Sequence, residues 1–254
     1  MVHSALRFFS IPALLLLLVT VSFGDDGLPV VLFDQGHNQR FVIEETGDLQ
    51  LSKLAGVIRS AGMQTTSTKV PLNDEQLEKI ASLVLSGPFD ELKAEEVDAI
   101  IRFMERGGRV AIMLHIGSPL TALLNRLDVD HSNSVLHERK NVIDSDINFI
   151  VKDITTHPLF NGLNQFSAYG AWALKAGTGS ESLARTSPDA WIDLNGDRIL
   201  SKGDAIGAFD IVVNGTKGAG SFMIFGDDAI FQNRYLDDNN SRLAENLGGW
   251  LSGR

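Results

Sequence analysis

The chain has 254 residues, with 22 Lys and Arg against 32 Asp and Glu, a net charge of -10 and 44% hydrophobic residues. This length and apolar content suit one large α/β domain or two small ones, and the interspersed charges exclude a disordered acidic tail and a basic nucleic-acid binder. Because the chain has no cysteine, disulfides, thiolate metal sites and a cysteine nucleophile are also excluded.

The segment 1–24 has the pattern of a secretory signal peptide. Arg7 precedes a mostly apolar stretch at 8–21, and Ser22 and Gly24 place small side chains before the expected cleavage point. The stretch is about 14 residues long, shorter than the ~20 that span a bilayer, although an uncleaved anchor is the alternative. We expect a secreted or periplasmic protein with no stable membrane span after cleavage.

Strand-like and helical patterns alternate through the first half of the mature chain. Short runs typical of strands lie at 28–33, 63–70, 83–85 and 110–114. Helical spacing of apolar residues separates them, first at Leu51, Leu54, Ala55 and Ile58 and later at Val97, Ile100, Ile101 and Met104. Such alternation is typical of a parallel sheet with helical crossovers.

Capping residues mark where two further helices begin. Asn73 and Gln76 have the spacing of a capping box before Leu77. Ser118 followed by Pro119 predicts an N-cap and a first helical residue. Ser118 is therefore expected to cap a helix and not to act as a nucleophile.

These elements predict the α/β class, with an open, mostly parallel sheet and helices on both faces. The alternation fades from Asp130, which predicts a small β-rich insertion at about 130–204. Apolar runs at 205–213 and 220–225 restore the sheet, and a last amphipathic helix begins near Asp237 and Asp238. We find no internal repeat or linker, so one domain should span residues 25–254.

Four polar segments follow predicted strands and form the candidate ligand site. In open parallel sheets, ligands bind outside the carboxyl ends of the strands. The candidate residues at these ends are Asp34, Gly36, His37, Asn38, Ser86, Gly87, His115, Gly117, Asp227 and Asp228. Backbone N–H groups near the glycines would receive an anion or a sugar hydroxyl, and the aspartates would orient the two histidines.

The alternative is that these residue types serve the backbone only, since strand-to-helix turns favour Gly, Asp and Asn. The chain has no GxSxG, P-loop or GxGxxG motif. Trp172 and Trp191 would stack on sugar rings or pack in the core. His131, His137 and His157 are scattered and predict no metal site.

Several segments together resemble a poorly characterised family of glutamine-amidotransferase-like domains. They are LFDQGHN, GPFDELKAEEVDAIIRFMERGGRVAIML, THPLFNGL and GSFMIFGDDAIFQNRYLDDNNSRLAENLGGWL. Relatives occur in gliding-motility ABC-transport components and in an intraflagellar-transport subunit. The resemblance implies a flavodoxin-like sheet of the class I amidotransferase type, with a nucleophile elbow near His115 to Ser118. Because the amidotransferase cysteine is absent, it implies a non-catalytic domain that binds carbohydrate or another extracytoplasmic component.

A twelve-residue loop at 193–204 has the ligand spacing of an EF-hand-type calcium loop. The expected ligands at positions 1, 3, 5, 7, 9 and 12 are Asp193, Asn195, Asp197, the Ile199 carbonyl, Ser201 and Asp204. The loop is similar to those of dockerin modules, although Arg198 replaces the turn glycine. The alternative is a hairpin turned at Asn195–Gly196, between Trp191–Ile192 and Ile199–Leu200. Bound Ca²⁺ would have a structural role.

The sequence therefore favours an extracytoplasmic, non-catalytic ligand-binding module with a calcium-stabilised loop and a carbohydrate or envelope-protein partner. One alternative is a hydrolase that uses His37 or His115 with Asp34 or Asp228. Another is a protein-interaction part of a larger envelope assembly. The first two hypotheses require the polar strand ends to meet at one rim.

Overall fold

A computed structural model gives the fold of residues 27–253. The expected signal peptide at 1–24 lies outside the described residues. Within residues 27–253, no helix combines the length and apolar character needed to cross a bilayer. The helices are α1 (Ser52–Ser60), α2 (Asp74–Leu77), α3 (Ala94–Glu105), α4 (Thr121–Arg126) and α5 (Asp238–Leu251).

The strands belong to one large sheet and one small one. They are β1 (Val30–Asp34), β2 (Gln64–Thr68), β3 (Ser82–Ser86), β4 (Arg109–Met113), β5 (Val129–His137), β6 (Asn148–Val151), β7 (Asp153–Ile154), β8 (Phe166–Tyr169), β9 (Trp172–Ala176), β10 (Ser180–Arg185), β11 (Trp191–Ile192), β12 (Ala205–Ile206), β13 (Asp210–Lys217) and β14 (Gly220–Phe225). The order in the large sheet is β12-β11-β5-β9-β13-β14-β4-β3-β1-β2, with β10 paired to β13 and β7 paired to β10.

The large sheet is mixed, so the prediction of a mostly parallel sheet is wrong. Strands β2, β1, β3, β4 and β14 are parallel, whereas the pairs from β14 through β13, β9, β5 and β11 to β12 are antiparallel. The direction changes at the tight turn between Lys217 and Gly220, which joins β13 to β14. So short a connection can only join antiparallel neighbours, because a parallel pair needs a crossover of about a dozen residues.

The β-rich segment predicted at about 130–204 continues this sheet. Strands β5, β9, β10 and β11 all belong to the large sheet. In this segment only β6 and β8 form a separate antiparallel pair. The segment therefore widens the sheet beyond β14 and β13. This places its loops beside the ends of the parallel strands.

Side chains of the central strands alternate between two apolar clusters. In β1, Val31 and Phe33 belong to the cluster that contains Ile58 of α1, whereas Val30 and Leu32 belong to the cluster that contains Ile100 of α3. Since successive strand residues point to opposite sides of a sheet, apolar packing covers both sides of β1. This explains why its residues form a continuous hydrophobic run.

One predicted cap is confirmed and another is wrong. Asn73 accepts a hydrogen bond from the Gln76 backbone, and the Gln76 side chain bonds back, which completes the capping box. Ser118 makes no capping hydrogen bond, because it already lies inside a 3-10 turn at 118–120 whose N-cap is Gly117. Regular helix α4 begins only at Thr121.

Candidate functional site

The parallel strands bring the predicted polar turns to the same edge of the sheet. Asp34 pairs in register with Leu85, while Ser86 and Phe225 both pair with Met113. The turns after β1, β3, β4 and β14 therefore leave the sheet side by side. Within this edge, however, the titratable side chains form two separate clusters.

The first cluster is buried and consists of Asp34, His37 and Glu96. His37 Nδ1 lies 2.7 Å from Asp34 Oδ2, and Nε2 lies 3.1 Å from Glu96 Oε1. Both ring nitrogens are thus occupied, and only 5% of His37 is exposed. No ligand reaches the ring without breaking this network.

Charge explains how the network remains stable in the interior. Burial alone would lower the pKa of His37, but hydrogen bonds and charge from Asp34 and Glu96 raise it to about 9. Burial alone would raise the pKa of Glu96, but backbone N–H groups of Lys93 and Leu72, together with His37, lower it. A protonated imidazole therefore lies between the carboxyl groups of Asp34 and Glu96.

The neighbouring predicted residues support this turn. Gly36 N–H donates to Asp34 Oδ1 at 3.1 Å, and a methyl group at Gly36 would lie 3.1 Å from the Val70 carbonyl oxygen. Asn38 has a positive φ of 57°, a conformation that Asn tolerates. At both positions the backbone conformation itself accounts for the residue type.

The second cluster contains His115 and Asp228. His115 Nδ1 lies 3.0 Å from Asp228 Oδ1, and the His115 side chain is 35% exposed while Asp228 is buried. Nε2 is therefore the ring nitrogen that can bond a ligand. The hydrogen bond that His115 donates to Asp228 raises the pKa of His115, and burial raises the pKa of Asp228, so the pair retains a shared proton to higher pH.

Asp228 also carries a buried oxygen with no partner. Within the described residues, Asp228 Oδ2 makes no hydrogen bond, and neither does the nearby Ser86 Oγ. Gly87, with φ +54°, leaves the space that Oδ2 occupies, since a methyl group there would overlap this oxygen and contact the His115 Cβ at 3.3 Å. Ser86 and Gly87 thus shape the wall behind the pair.

A cavity of about 360 Å³ opens beside this pair. Its size falls in the lower part of the range of small-molecule sites. Its lining combines apolar, aromatic and polar side chains: Phe41, Leu49, His115, Val135, Ile147, Asn148, Tyr169, Gly170, Asp227, Asp228, Ala229, Gln232 and Tyr235. Of the predicted site residues, only His115, Asp227 and Asp228 are in this lining.

Asp227 holds the cavity floor together. Its Oδ2 accepts from Tyr169 N–H at 2.6 Å and its Oδ1 from Ala229 N–H at 2.8 Å. Burial, followed by the charge of Asp228, raises the pKa of Asp227 to about 8. The side chain therefore joins β8 to the turn after β14 and is largely uncharged at neutral pH.

Two cavity tyrosines were not predicted from the sequence. Tyr169 and Tyr235 stack with ring centroids 3.9 Å apart and an interplanar angle of 23°. Phe41 contacts the His115 ring edge-on at 5.2 Å. No local motif marks these aromatics, because the strands and loops that bring them together are distant in the sequence. Glu96 was not predicted either, because it is distant in the sequence from His37, which it contacts.

The remaining predicted residues serve packing. A methyl group at Gly117 would overlap the His131 ring, so this glycine permits close contact between the two segments. Trp172 donates its indole N–H to the His115 carbonyl at 3.0 Å. Trp191 is buried and stacks on His137 with a centroid distance of 4.1 Å.

The loop at 193–204 joins β11 to β12. Trp191 pairs with Ile206 and Ile192 with Ala205, so the alternative hairpin between Trp191–Ile192 and Ile199–Leu200 is wrong. All twelve residues remain in one loop. Arg198 at its sixth position has φ +63°, which explains why glycine is usual there.

Carboxylates converge inside this loop. Asp193, Asp197 and Asp204 place one oxygen each within 4.8 Å of one another, and this is the single such group of three or more His, Cys, Asp or Glu in residues 27–253. Burial would raise the pKa of Asp193, but backbone N–H groups of Arg198, Gly196 and Asn195 lower it. Ser201 Oγ donates to Asp197 Oδ2 at 2.8 Å and accepts from Asn195 Nδ2 at 2.8 Å.

Comparisons place the chain among uncharacterised domains. The profile of a family described as "Domain of unknown function (DUF4350)" matches residues 43–247. The mmIFT52 N-terminal domain is similar in structure, with a TM-score of 0.71, 17% identity, and coverage of 87% of this chain and 97% of that one. No curated protein matches the sequence.

Two bacterial structures are similar as well. The cytoplasmic protein STM1381 from Salmonella typhimurium has a TM-score of 0.59 and 14% identity, covering 88% of this chain and 99% of that one. A putative ThuA-like protein from Bacteroides uniformis has a TM-score of 0.52 and 16% identity, covering 88% and 91%. At these identities the likeness shows the fold alone. It relates the domain to those proteins and does not confirm the glutamine-amidotransferase assignment.

Proposed function

The chain belongs to the DUF4350 family, and we propose that it is a non-catalytic binding module whose cavity beside His115 takes a carbohydrate. The observation that carries the proposal is one cavity in which an oriented imidazole accompanies a stacked tyrosine pair. Imidazole, amide and phenol groups bond sugar hydroxyls, while aromatic faces pack on the apolar C–H side of a sugar ring.

The lining supports binding without chemistry. The cavity lining contains no Ser, Thr or Cys, so the commonest hydroxyl and thiol nucleophiles are missing from it. The Ser86 hydroxyl is buried and is not part of the lining. His115 would therefore donate to or accept from a ligand hydroxyl.

Calorimetry against a panel of mono- and disaccharides tests this proposal. We expect saturable binding of at least one sugar, weakened about tenfold or more by His115→Ala and by Tyr235→Ala, since each removes a direct contact. His157→Ala is the matched control because His157 lies outside the cavity, and it should leave the affinity unchanged. Absence of saturable binding across the panel would refute the proposal, as would binding that both cavity variants retain.

A hydrolase is the second candidate function, and the His115–Asp228 hydrogen bond favours it. An imidazole held by a buried carboxylate can act as a general base toward water. A screen with chromogenic esters and glycosides would detect turnover. Turnover that His115→Ala abolishes would support this candidate, and turnover that survives in His115→Ala would exclude it.

The loop at 193–204 is proposed to bind Ca²⁺ in a structural role. The three convergent carboxylates, the Asn195 and Ser201 side chains and the Ile199 carbonyl fit the oxygen ligands that this ion prefers. Bound Ca²⁺ would relieve repulsion among the carboxylates and hold β11 against β12. Because the carboxylates must be ionised, affinity should fall at acidic pH.

Thermal unfolding with CaCl₂ and with EDTA tests the calcium proposal. We expect EDTA to lower Tm by several degrees, and Asp193→Ala combined with Asp197→Ala to abolish this response. Asp130→Ala combined with Asp153→Ala removes the same charge from exposed strand positions and should keep the response. A wild-type Tm that is unchanged by chelation would refute calcium binding.

The segment 1–24 leads us to propose export, so that the domain acts as a secreted or periplasmic module with a carbohydrate or envelope-protein partner. N-terminal sequencing of protein from the extracytoplasmic fraction should begin at Asp25.

For the fold, we propose that helices cover both faces of the sheet, as in the flavodoxin-like amidotransferase scaffold. The two apolar clusters on opposite sides of the central strands support this proposal.

A further inference from the structure

We infer that the sugar bound by this cavity is acidic and that Arg40 and Arg234 hold its carboxylate. The inference rests on the proposed carbohydrate-binding function and adds the chemical class of the ligand. Two features of the described residues carry it. They are the positions of the two guanidinium groups and the way in which the acidic cavity floor is neutralised.

Arg40 lies on the His115 side of the cavity. Its guanidinium carbon is 4.4 Å from the centroid of the Phe89 ring, and that ring is 5.1 Å from the ring of His115. Its side chain is exposed, and its charge acts on His115. Phe89 thus holds the cation beside the entrance and leaves its N–H groups available.

Arg234 lies on the tyrosine side. Its guanidinium carbon is 5.7 Å from the centroid of the Tyr235 ring, which lines the cavity. The Arg234 backbone N–H donates to the Asp48 carbonyl at 2.7 Å, which fixes the segment that carries it. Arg234 therefore contacts an aromatic side chain of the lining directly, whereas Arg40 reaches the lining residue His115 through Phe89.

Neither guanidinium has a carboxylate partner within residues 27–253. Of the nine other arginines in these residues, Arg59, Arg109 and Arg198 also form no ion pair, and six pair with Asp or Glu: Arg102, Arg106, Arg126, Arg139, Arg185 and Arg242. In a chain with a net charge of -10, two unpaired cations at one cavity leave donors for an external anion. The guanidinium fork matches a carboxylate in two parallel hydrogen bonds.

The floor of the cavity does not oppose an anion despite its two aspartates. Asp227 directs both oxygens at backbone N–H groups and is largely uncharged at neutral pH. Asp228 faces His115, so its charge is balanced locally. The two floor aspartates therefore add little net negative charge to the cavity.

Calorimetry with matched sugars tests the inference. Glucuronate and galacturonate disaccharides are compared with the corresponding neutral glucose and galactose disaccharides. We expect a uronate to bind at least tenfold more tightly than its neutral counterpart, and we expect this preference to shrink as salt concentration rises. Arg40→Ala and Arg234→Ala should each reduce the preference, measured as the ratio of uronate to neutral-sugar affinity in the same variant, about threefold or more.

Arg59→Ala is the matched control, because it removes one exposed arginine on α1 and should keep the preference. Equal binding of neutral and acidic sugars would overturn the inference and leave the proposed function intact. Failure of every sugar to bind would overturn both. Succinate has carboxylates but no sugar ring, so competition by succinate as strong as by the uronate would also overturn the inference.

Discussion

His37 illustrates how one side chain can couple folding to pH. Its ring lies between the carboxylates of Asp34 and Glu96 in the interior. Its pKa is about 9 in the fold against 6.5 in an open chain. The stabilisation that protonated His37 gives to the folded state is therefore fully present below pH 6.5. It is lost as pH rises towards 9, because the unfolded chain releases this proton at lower pH than the folded protein does.

We predict that His37→Gln makes the unfolding free energy less dependent on pH. The shift of His37 from 6.5 to about 9 is equivalent to roughly 3 kcal/mol, so between pH 6 and pH 9.5 the wild type should lose more unfolding free energy than His37→Gln by an amount of this order. Urea unfolding at a series of pH values measures the profile. His137→Gln, at a partly exposed ion pair with Asp146, should keep the wild-type slope. Parallel profiles for wild type and His37→Gln would contradict the assignment.

Gly87 allows a second residue-scale prediction, based on space. Gly87 and Gly179 have positive φ values of 54° and 84°, but only at Gly87 would an added methyl group overlap a neighbour, Asp228 Oδ2. We expect Gly87→Ala to lower the unfolding free energy by about 2–3 kcal/mol and Gly179→Ala by only about 1, the penalty of the left-handed backbone. Equal losses in chemical denaturation would show that the Asp228 contact is unimportant.

At the level of elements, α5 joins the β-rich segment to the parallel half. Asp237 caps the helix by accepting from Asn240 N–H at 3.0 Å, close to where the sequence predicted the last helix to begin. The Asn240 side chain is fully buried, and it accepts from Ser167 N–H and donates to the carbonyls of Ser167 and Ile230. One amide thus satisfies backbone groups of β8 and of the turn after β14.

We predict that Asn240→Ala destabilises the protein by about 2 kcal/mol or more, because it leaves these buried backbone groups without partners. Asn239→Ala changes the same residue type at the adjacent, partly exposed helix position and should stay within about 0.5 kcal/mol of wild type. Midpoints of thermal and urea unfolding measure both variants. Similar losses for the two would indicate that helix propensity, and not the hydrogen bonds, is responsible.

At the level of the whole molecule, the cavity lies where the parallel and antiparallel halves meet. Phe41, His115 and Asp228 come from loops of the parallel half, whereas Val135 and Tyr169 come from the β-rich segment. The two halves share one sheet through the β13–β14 pair. Neither half can therefore form the cavity alone.

This continuity predicts a single cooperative unfolding transition. With Trp250 of α5 replaced by Phe, Trp172 and Trp191 report on β9 and β11, while far-UV circular dichroism reports mainly on helices. Because the halves share hydrogen bonds and core, the fluorescence and dichroism midpoints should coincide. Asn240→Ala should lower both midpoints together. Separate midpoints would show that the β-rich segment unfolds independently.

Features that depend on neighbours in the chain were determined by the sequence alone. They include the buried strand β1, the Asn73 capping box, the Asp237 cap and the spacing of the loop at 193–204. Each follows from hydrogen bonds or side-chain periodicity within a few residues, so a short window contains the whole physical cause.

Only the tertiary structure decided which polar groups meet. Asp34 ends β1 and His115 follows β4, so the sequence places both at the same edge of the sheet. In the structure, however, His37 contacts the buried Glu96, while His115 lies in the cavity with Asp228. The stacking of Tyr169 on Tyr235 and the positions of Arg40 and Arg234 likewise depend on how the antiparallel half folds against the parallel one. The energies of these contacts belong to pairs distant in the sequence, so no local pattern could reveal them.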